Sequence, residues 1–482
     1  MPRFCGHDRA MRLAAALMRI PDRERAHTGI AAVREEMSAI VALGWPLVVS
    51  NVLNVGLQVV NTVMAGRLDA ATLAAIAVGG AIYAPLFLFG LGVLLSISVF
   101  AAQHTGAERP AEVGETARQG VWLALLVAGL MIIVMRSVRP IIALLGLEPE
   151  VTELAVGYLK AMSWGMLGIY PFLVMRLTSE GLGYTRPIMF FSMTALLVNA
   201  LGNWLFMYGN AGFPRMGAVG CGWSSALAMW VVLLAMVSFI RRAPRYRPIG
   251  LFDRFALPHP RLLRDLLKVG LPIASAMVLE TSLFGIVTLF MGLLGTRVVA
   301  AHQIAFNVTA LLFMIPLGLS YAITVRVGHA IGRGNPAAAL HTGRCGALIC
   351  AGVGMLTGML TALGAVRIAA VYTADAGVAS IAVQLIFISA VFQVFDAIQI
   401  AAIGGLRGVR DTRVAMFTNL VAFWGIGCPL AYALGIQLGI GAFGVWTGLI
   451  VSIAIVAVAH PLRLHLVMTR LRADGARLAP GG

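Results

Sequence analysis

The chain has 482 residues, 60% of them hydrophobic and only 12% charged, with a mean hydropathy of +0.90. Soluble domains carry about 25% charged residues to cover their surface, so this composition excludes a soluble fold and describes a polytopic membrane protein. The formal net charge of +16 does not point to nucleic acid, because the basic residues gather outside the apolar runs: seven Arg within residues 1–35, seven Arg plus Lys268 within 241–268, and a basic C-terminal tail.

Residues 1–39 are Arg-rich and lack an apolar core ahead of a small-residue cleavage site. They are read as a cytoplasmic arm, disordered or lying on the membrane surface, and not as a cleaved signal. Twelve apolar segments follow, at 40–65, 73–100, 119–138, 153–176, 187–208, 217–240, 268–294, 298–326, 343–364, 377–404, 413–435 and 440–461. Each is near the roughly 20 residues that span a bilayer as a helix, and twice the length of a barrel strand. The predicted fold class is an all-α membrane protein of twelve transmembrane helices. It divides into a bundle at 40–240, a linker at 241–267, a second bundle at 268–462 and a tail at 463–482. With both termini on one side, the arm, the tail and the even-numbered loops hold 29 of the 36 Lys and Arg. That asymmetry predicts a cell inner membrane protein with cytoplasmic termini, near anionic lipid. Lys160 sits within a helix. The cysteines (Cys5, Cys221, Cys345, Cys350 and Cys428) show no metal-ligand spacing, so neither disulfides nor zinc are expected.

The chain is duplicated internally. Laying Gly44–Arg118 on Gly270–Arg344, a shift of 226 without gaps, makes 22 of 75 positions identical, far above chance for so biased a composition. Six helices per repeat is an even number, so both halves cross the membrane in the same sense. They are expected to be related by a pseudo-two-fold axis along the membrane normal, with a site within or between them.

Polar residues inside the apolar runs mark where such a site lies. The segment from Leu271 to Met291 carries Glu280 near its middle, where a charge costs about 2.5–3.5 kcal/mol on insertion scales. Asp396 occupies the tenth segment, with Gln393 and Gln399 three residues to either side on one helical face. Glu280 and Asp396, in two helices of the same half, can share a pocket. Three uses are open to them: carrying a proton, holding a bare Na⁺, or a purely structural role beside Ser, Thr or Arg. In the first segment Asn51, Asn54, Gln58 and Asn61 recur at spacings of three and four. This stripe is either packing glue between helices or the lining of an aqueous cavity. Asn199 and Asn203, one turn apart in the fifth segment, can face it. Tyr184 and Arg186 read as interface anchors. His302 and Gln303 open the eighth segment with Asn307 a turn further in; His302 reads as a hydrogen-bonding residue near an interface. Arg326, His329 and Arg333 read as a solvated basic flank. No P-loop, His-Glu-x-x-His or Gly-x-Ser-x-Gly arrangement is present, so no enzyme is expected, and the energy source is expected to be an ion gradient or another subunit.

Several stretches together resemble one family. VNTVMAGRL (60–68), LETSLFG (279–285), VVAAHQIAFN (298–307), VRVGHAIGRGNPAAA (325–339), FQVFDAIQ (392–399), GGLRGVRDTRVAM (404–416) and FWGIGCPLAYALG (423–435) are similar to the multidrug and toxic compound extrusion (MATE) transporters of the NorM-like bacterial branch. The resemblance covers residues 40–465. It implies a V-shaped pair of six-helix bundles that exports cationic amphipathic drugs in exchange for Na⁺ or H⁺. It further implies that Glu280 and Asp396 are the cation-binding acids, Na⁺ ligands if Na⁺ is the ion, and that Asn199 and Asn203 belong to a site in the N-terminal half. The family usually has aspartate where this chain has Asn61, and an amide neither takes up a proton nor neutralises a cation. Coupling through Glu280 and Asp396 is therefore expected. Proline is common in the family where Ala415 stands, a local difference. The expected partners are small cationic molecules and membrane lipids, with no cofactor, no nucleic acid and a monomeric state. Asn54, Gln58, Gln393, Gln399 and Asn307 are the expected cavity lining. The alternative reading is export of a lipid-linked precursor or an endogenous metabolite by the same architecture.

Overall fold

A computed structural model describes residues 29–144 and 146–478, with side chains to 473; the basic arm as far as residue 28, with Cys5, lies outside the described residues. Among these residues the chain is helical, without strands. The first half contains α1 (Ile30–Gly66), α2 (Ala70–Gly106), α3 (Pro110–Arg136), α4 (Pro149–Ser163), α5 (Met166–Gly181), α6 (Arg186–Gly202) and α7 (Gly217–Arg242). The second contains α8 (Pro260–Leu293), α9 (Thr296–Gly332), α10 (Pro336–Tyr372), α11 (Ala376–Gly408), α12 (Thr412–Asn419), α13 (Cys428–Tyr432) and α14 (Ala442–Leu478). Helix α6 runs on as a π-helix over Asn203–Met207, and π-helical turns join α12 to α13 and extend α13. Eleven helices are long and apolar enough to cross a membrane. The twelfth crossing is α4 and α5 together, interrupted at Trp164–Gly165 and carrying Lys160, Arg176 and Glu180. Helix starts follow their sequence signals. Proline occupies the first turn of α3, α4, α6, α8 and α10. Asp69 and Asn335 accept hydrogen bonds from the amides of Thr72 (2.6 Å) and Ala338 (2.9 Å).

The duplication read in the sequence reappears as a symmetric interface. A Cβ built on Gly92 would fall 2.4 Å from Ala274 Cα, and one on Gly318 would fall 2.7 Å from Val48 N. Gly92 and Gly318 differ by 226, as do Val48 and Ala274. Gly106 meets His329 O at 2.2 Å, and its counterpart Gly332 meets Gln103 O at 2.1 Å. Gly44 faces Leu319 (2.9 Å) as Gly270 faces the Val93 carbonyl (2.2 Å). Small residues let helix backbones approach where no hydrophobic force drives them together. Two further contacts obey the same symmetry: Gln103 Nε2 donates to Gly408 O (2.8 Å), and His329 Nε2 lies 2.7 Å from Gly181 O. All of these contacts lie toward the membrane face from which α1 starts. Further along the same four helices, Gly56, Gly80, Gly285 and Gly292 have nothing within 4 Å of a Cβ.

The predicted flank of Arg326, His329 and Arg333 needs correction at two positions. His329 is buried in the contact with Gly181, and Arg326 donates to Glu36 Oε1 (2.7 Å), which also accepts from Thr342 Oγ1 (2.7 Å). Both residues therefore face protein, because the end of α9 packs against the other half and against the start of α1. Helix α1 begins at Ile30, so it takes in residues 30–39 of the stretch read as an arm. Val33, Met37 and Ile40, spaced three and four apart, give that extension an apolar face that packs on the core of the second half. Correspondingly α8 begins at Pro260, within the stretch read as linker, and Leu266, Val269 and Ile273 pack in the core of the first half.

A methyl group at Gly106 or Gly332 meets backbone, which has no room to yield. Gly106→Ala and Gly332→Ala should each shift the distance between spin labels at Ala111→Cys and Ala337→Cys to longer values, and Gly129→Ala, with open space around it, should not.

Candidate functional site

In the first half the three predicted asparagines meet. Asn61 comes from α1, Asn199 from α6, and Asn203 from the point where α6 widens into its π-helix, a distortion often found at functional sites. Asn203 Nδ2 donates to Asn61 Oδ1 (2.7 Å) and, at 3.4 Å, to Asn199 Oδ1; Asn199 Nδ2 donates to Ser225 Oγ (3.1 Å). All three amides are buried, and Asn203 Oδ1 has no partner. A buried oxygen without a donor is costly, and it is the atom that a cation or a water would meet. Asn54 and Gln58, on the same helix as Asn61, are exposed and stand apart from the amide network.

In the second half Asp396 is buried and accepts from Gln399 Nε2 (3.2 Å). It lines a cleft of about 10 Å³ with Thr309, Thr357, Gln393 and Pro316, the scale of a single water. Gln393 Nε2 donates to Thr361 Oγ1 (3.4 Å), and its Oε1 is buried without a partner. Glu280 on α8 is half-buried and within electrostatic reach of Asp396, so the two predicted acids share one region. Neither belongs to an ion pair among the described residues. Asn307 is exposed and outside this group. His302 is fully buried: Trp446 Nε1 donates to its Nδ1 (3.3 Å), and its Nε2 lies 3.2 Å from Thr288 Oγ1, which in turn donates to Phe284 O. The indole fixes the tautomer with hydrogen on Nε2 and makes this a core histidine.

Four residues that the sequence reading did not single out complete the site. Arg407 on α11 is buried, with Nη1 unpartnered, and interacts electrostatically with Glu280 and with Tyr321 of α9. Tyr321 also faces Arg176 and Glu180 of α5 across the interface. Those two form a buried pair, with Arg176 Nε 2.8 Å from Glu180 Oε1. The result is a chain of ionisable groups that runs from Arg176 and Glu180 in the first half through Tyr321 and Arg407 to Glu280 and Asp396 in the second. Repeat positions add a relation: Glu280 corresponds to Asn54 (shift 226), and Arg407 to Glu180 (shift 227). The second half thus carries an acid where the first has an amide, and the two halves present opposite charges to Tyr321. The i, i+4 spacing of Arg176 and Glu180 was the available signal.

The MatE family model matches residues 46–205 and 272–433, two copies whose starts differ by 226. The chain belongs to the MatE family. Two curated relatives match over most of their length. The multidrug resistance protein PmpM of Pseudomonas aeruginosa is 39% identical, over 90% of this chain and 92% of that one. The probable multidrug resistance protein NorM of Shewanella oneidensis is 35% identical, over 92% of this chain and 96% of that one. Among solved structures, an outward-facing multidrug resistance MATE family transporter of the MOP superfamily has a TM-score of 0.84 at 20% identity, covering 93% of this chain and all of that one. The eukaryotic MATE transporter AtDTX14 has a TM-score of 0.82 at 18% identity, covering 92% and 99%. MatE proteins are ion-coupled membrane transporters, not enzymes, and the twelve-helix, two-bundle layout is theirs.

In this MatE protein the amide network can be tested by itself. Asn203→Ala removes the donor to buried Asn61 Oδ1, so it should lower stability by about 1–3 kcal/mol in thermal unfolding in detergent, with Asn54→Ala leaving the transition unchanged.

Proposed function

We propose that the protein is an antiporter of the bacterial inner membrane, with both termini cytoplasmic, that exports cationic amphipathic drugs by alternating access in exchange for H⁺ or Na⁺. The observation that carries this reading is the placing of two acids, Glu280 and Asp396, in membrane-spanning helices of the second half, neither in an ion pair among the described residues. In a low-dielectric slab a carboxylate favours a bound proton or a cation beside it. A drug cation and a coupling ion therefore compete for it: arrival of one releases the other. The names of the 35–39% identical relatives support drugs as the exported class.

Glu280 and Asp396 are the proposed coupling acids. Around Asp396 the donors are all oxygen (its own carboxylate, the Thr309 and Thr357 hydroxyls, the orphaned Gln393 Oε1), which suits either a bare Na⁺ or a carboxyl proton. Asn61, Asn199 and Asn203 are proposed as a polar site of the first half that works without charge, since Asn61 serves as an acceptor for Asn203. Asn54, Gln58 and Asn307, exposed on α1 and α9, are proposed to line the water-filled cleft of the V, and Gln393 and Gln399 to hold the acids.

In proteoliposomes with Na⁺ and proton gradients imposed separately, drug efflux should follow one of the two. Glu280→Gln and Asp396→Asn should each reduce that efflux at least about tenfold, equivalent to about 1.4 kcal/mol, with the protein still monodisperse. Full efflux in both variants would remove the coupling assignment. Asn61→Asp should alter the ion or pH dependence of transport; an unchanged profile would show that this position takes no part in coupling.

A further inference from the structure

Lys160, a basic residue well inside an apolar segment, takes no part in the site above. Its surroundings are built for something else. Lys160 and Arg136 line a groove of about 460 Å³ on the outer surface of the first half, together with Gly157, Trp164, Val219 and Trp223. The floor is α4, and the walls are the end of α3 and the start of α7. Arg136 is held in place from below: its Nε lies 3.2 Å from Ser163 Oγ, and its guanidinium sits 4.6 Å from the centre of the Trp164 ring. Trp164 is fixed in turn by Trp230, whose Nε1 donates to the Trp164 carbonyl (3.1 Å).

The charge balance of this groove is one-sided. No acidic residue lines it, and neither Arg136 nor Lys160 belongs to an ion pair among the described residues. The nearest acid in sequence, Glu153, is taken by Arg139. The groove's depth is also informative. Helix α3 crosses away from the face where α1 starts, so Arg136 at its end lies at the opposite face, level with the first turns of α7. Trp223, in the second turn of α7, is 42% exposed there, as indole rings are at the headgroup level; Trp164 and Trp230 lie deeper along the groove. Leu130 and Ile133 on α3 and Leu227 and Leu234 on α7 continue the walls toward the bilayer centre as exposed apolar surface.

We propose that this groove binds the headgroup of an anionic phospholipid, its phosphodiester between Arg136 and Lys160 and its acyl chains along the apolar walls. Arg and Lys side chains make their strongest hydrogen bonds to phosphate oxygens, charge assisting each of them. A zwitterionic lipid fits less well, because no carboxylate is present to receive its amine. The assignment is independent of what the protein exports.

The test is native mass spectrometry of the full-length protein in detergent, titrated with phosphatidylglycerol or phosphatidylcholine. The expected result is retention of one phosphatidylglycerol in preference to phosphatidylcholine, weakened about fivefold by Lys160→Gln and unaffected by Arg215→Gln, an exposed cation on the same face that pairs with Asp69. Lys160→Arg should retain the preference. The Lys160 amine makes no contact with the protein's own acids, so Lys160→Gln leaves folding intact, and gel filtration verifies it. Equal retention of both lipids, or a preference that survives Lys160→Gln, overturns the proposal. Displacement of phosphatidylglycerol by excess inorganic phosphate overturns it in favour of a free-anion site.

Discussion

Two bundles in a bilayer gain little from hydrophobic burial against each other, because the lipid they displace is equally apolar. Their association therefore rests on how closely backbones can approach and on the hydrogen bonds that follow. Here glycine on one half faces backbone on the other in three reciprocal pairs, each related to its mate by the shift of 226. That approach brings Gln103 and His329 to the carbonyls of Gly408 and Gly181. These contacts lie toward one end of the four central helices, and the close approach of the halves is secured there.

Two of the charged groups adjoin these contacts. Glu180 and Arg407 immediately precede the two glycines whose carbonyls receive the cross-half hydrogen bonds. Buried ion pairs contribute little net stability, because desolvation offsets their attraction; their cost is easier to understand if they serve to link charge to conformation. Glu280 interacts electrostatically with Arg407, and Arg407 with Tyr321, which meets Arg176 and Glu180 where the two halves touch. A ligand shifts a conformational equilibrium only by binding the two states differently. A charge cluster divided between the two halves would meet that requirement under the alternating access proposed above, since its geometry changes whenever the halves move.

Much of the site was legible in the chain. Glu280 and Asp396 stand out because a carboxylate within an apolar run has no cheap explanation, and Asn61, Asn199 and Asn203 because helix-interior asparagines are poor helix formers. Arg176 and Glu180 escaped notice because they follow an apolar run, where basic and acidic residues ordinarily mark a loop; only the packing of α5 between other helices buries them. The same ambiguity misplaced Arg326 and His329. Asn54 and Gln58 fall on one stripe with Asn51 and Asn61, yet the stripe divides: Asn51 and Asn61 turn into protein, and Asn54 and Gln58 onto open surface.

What the sequence alone determined is the set of crossings, their even number, the duplication and the unusual acids. Each of these is a property of neighbouring residues or of a fixed repeat, and hydropathy and identity report such properties without knowledge of distance. Which polar groups meet was decided only by tertiary structure. Asn61 finds Asn203 across 142 residues, Arg326 finds Glu36 across 290, and Gln103 finds Gly408 across 305. In a bilayer a polar side chain must find a partner within the protein, but its residue type does not say which helix supplies it; the close approach of backbones at the glycines does.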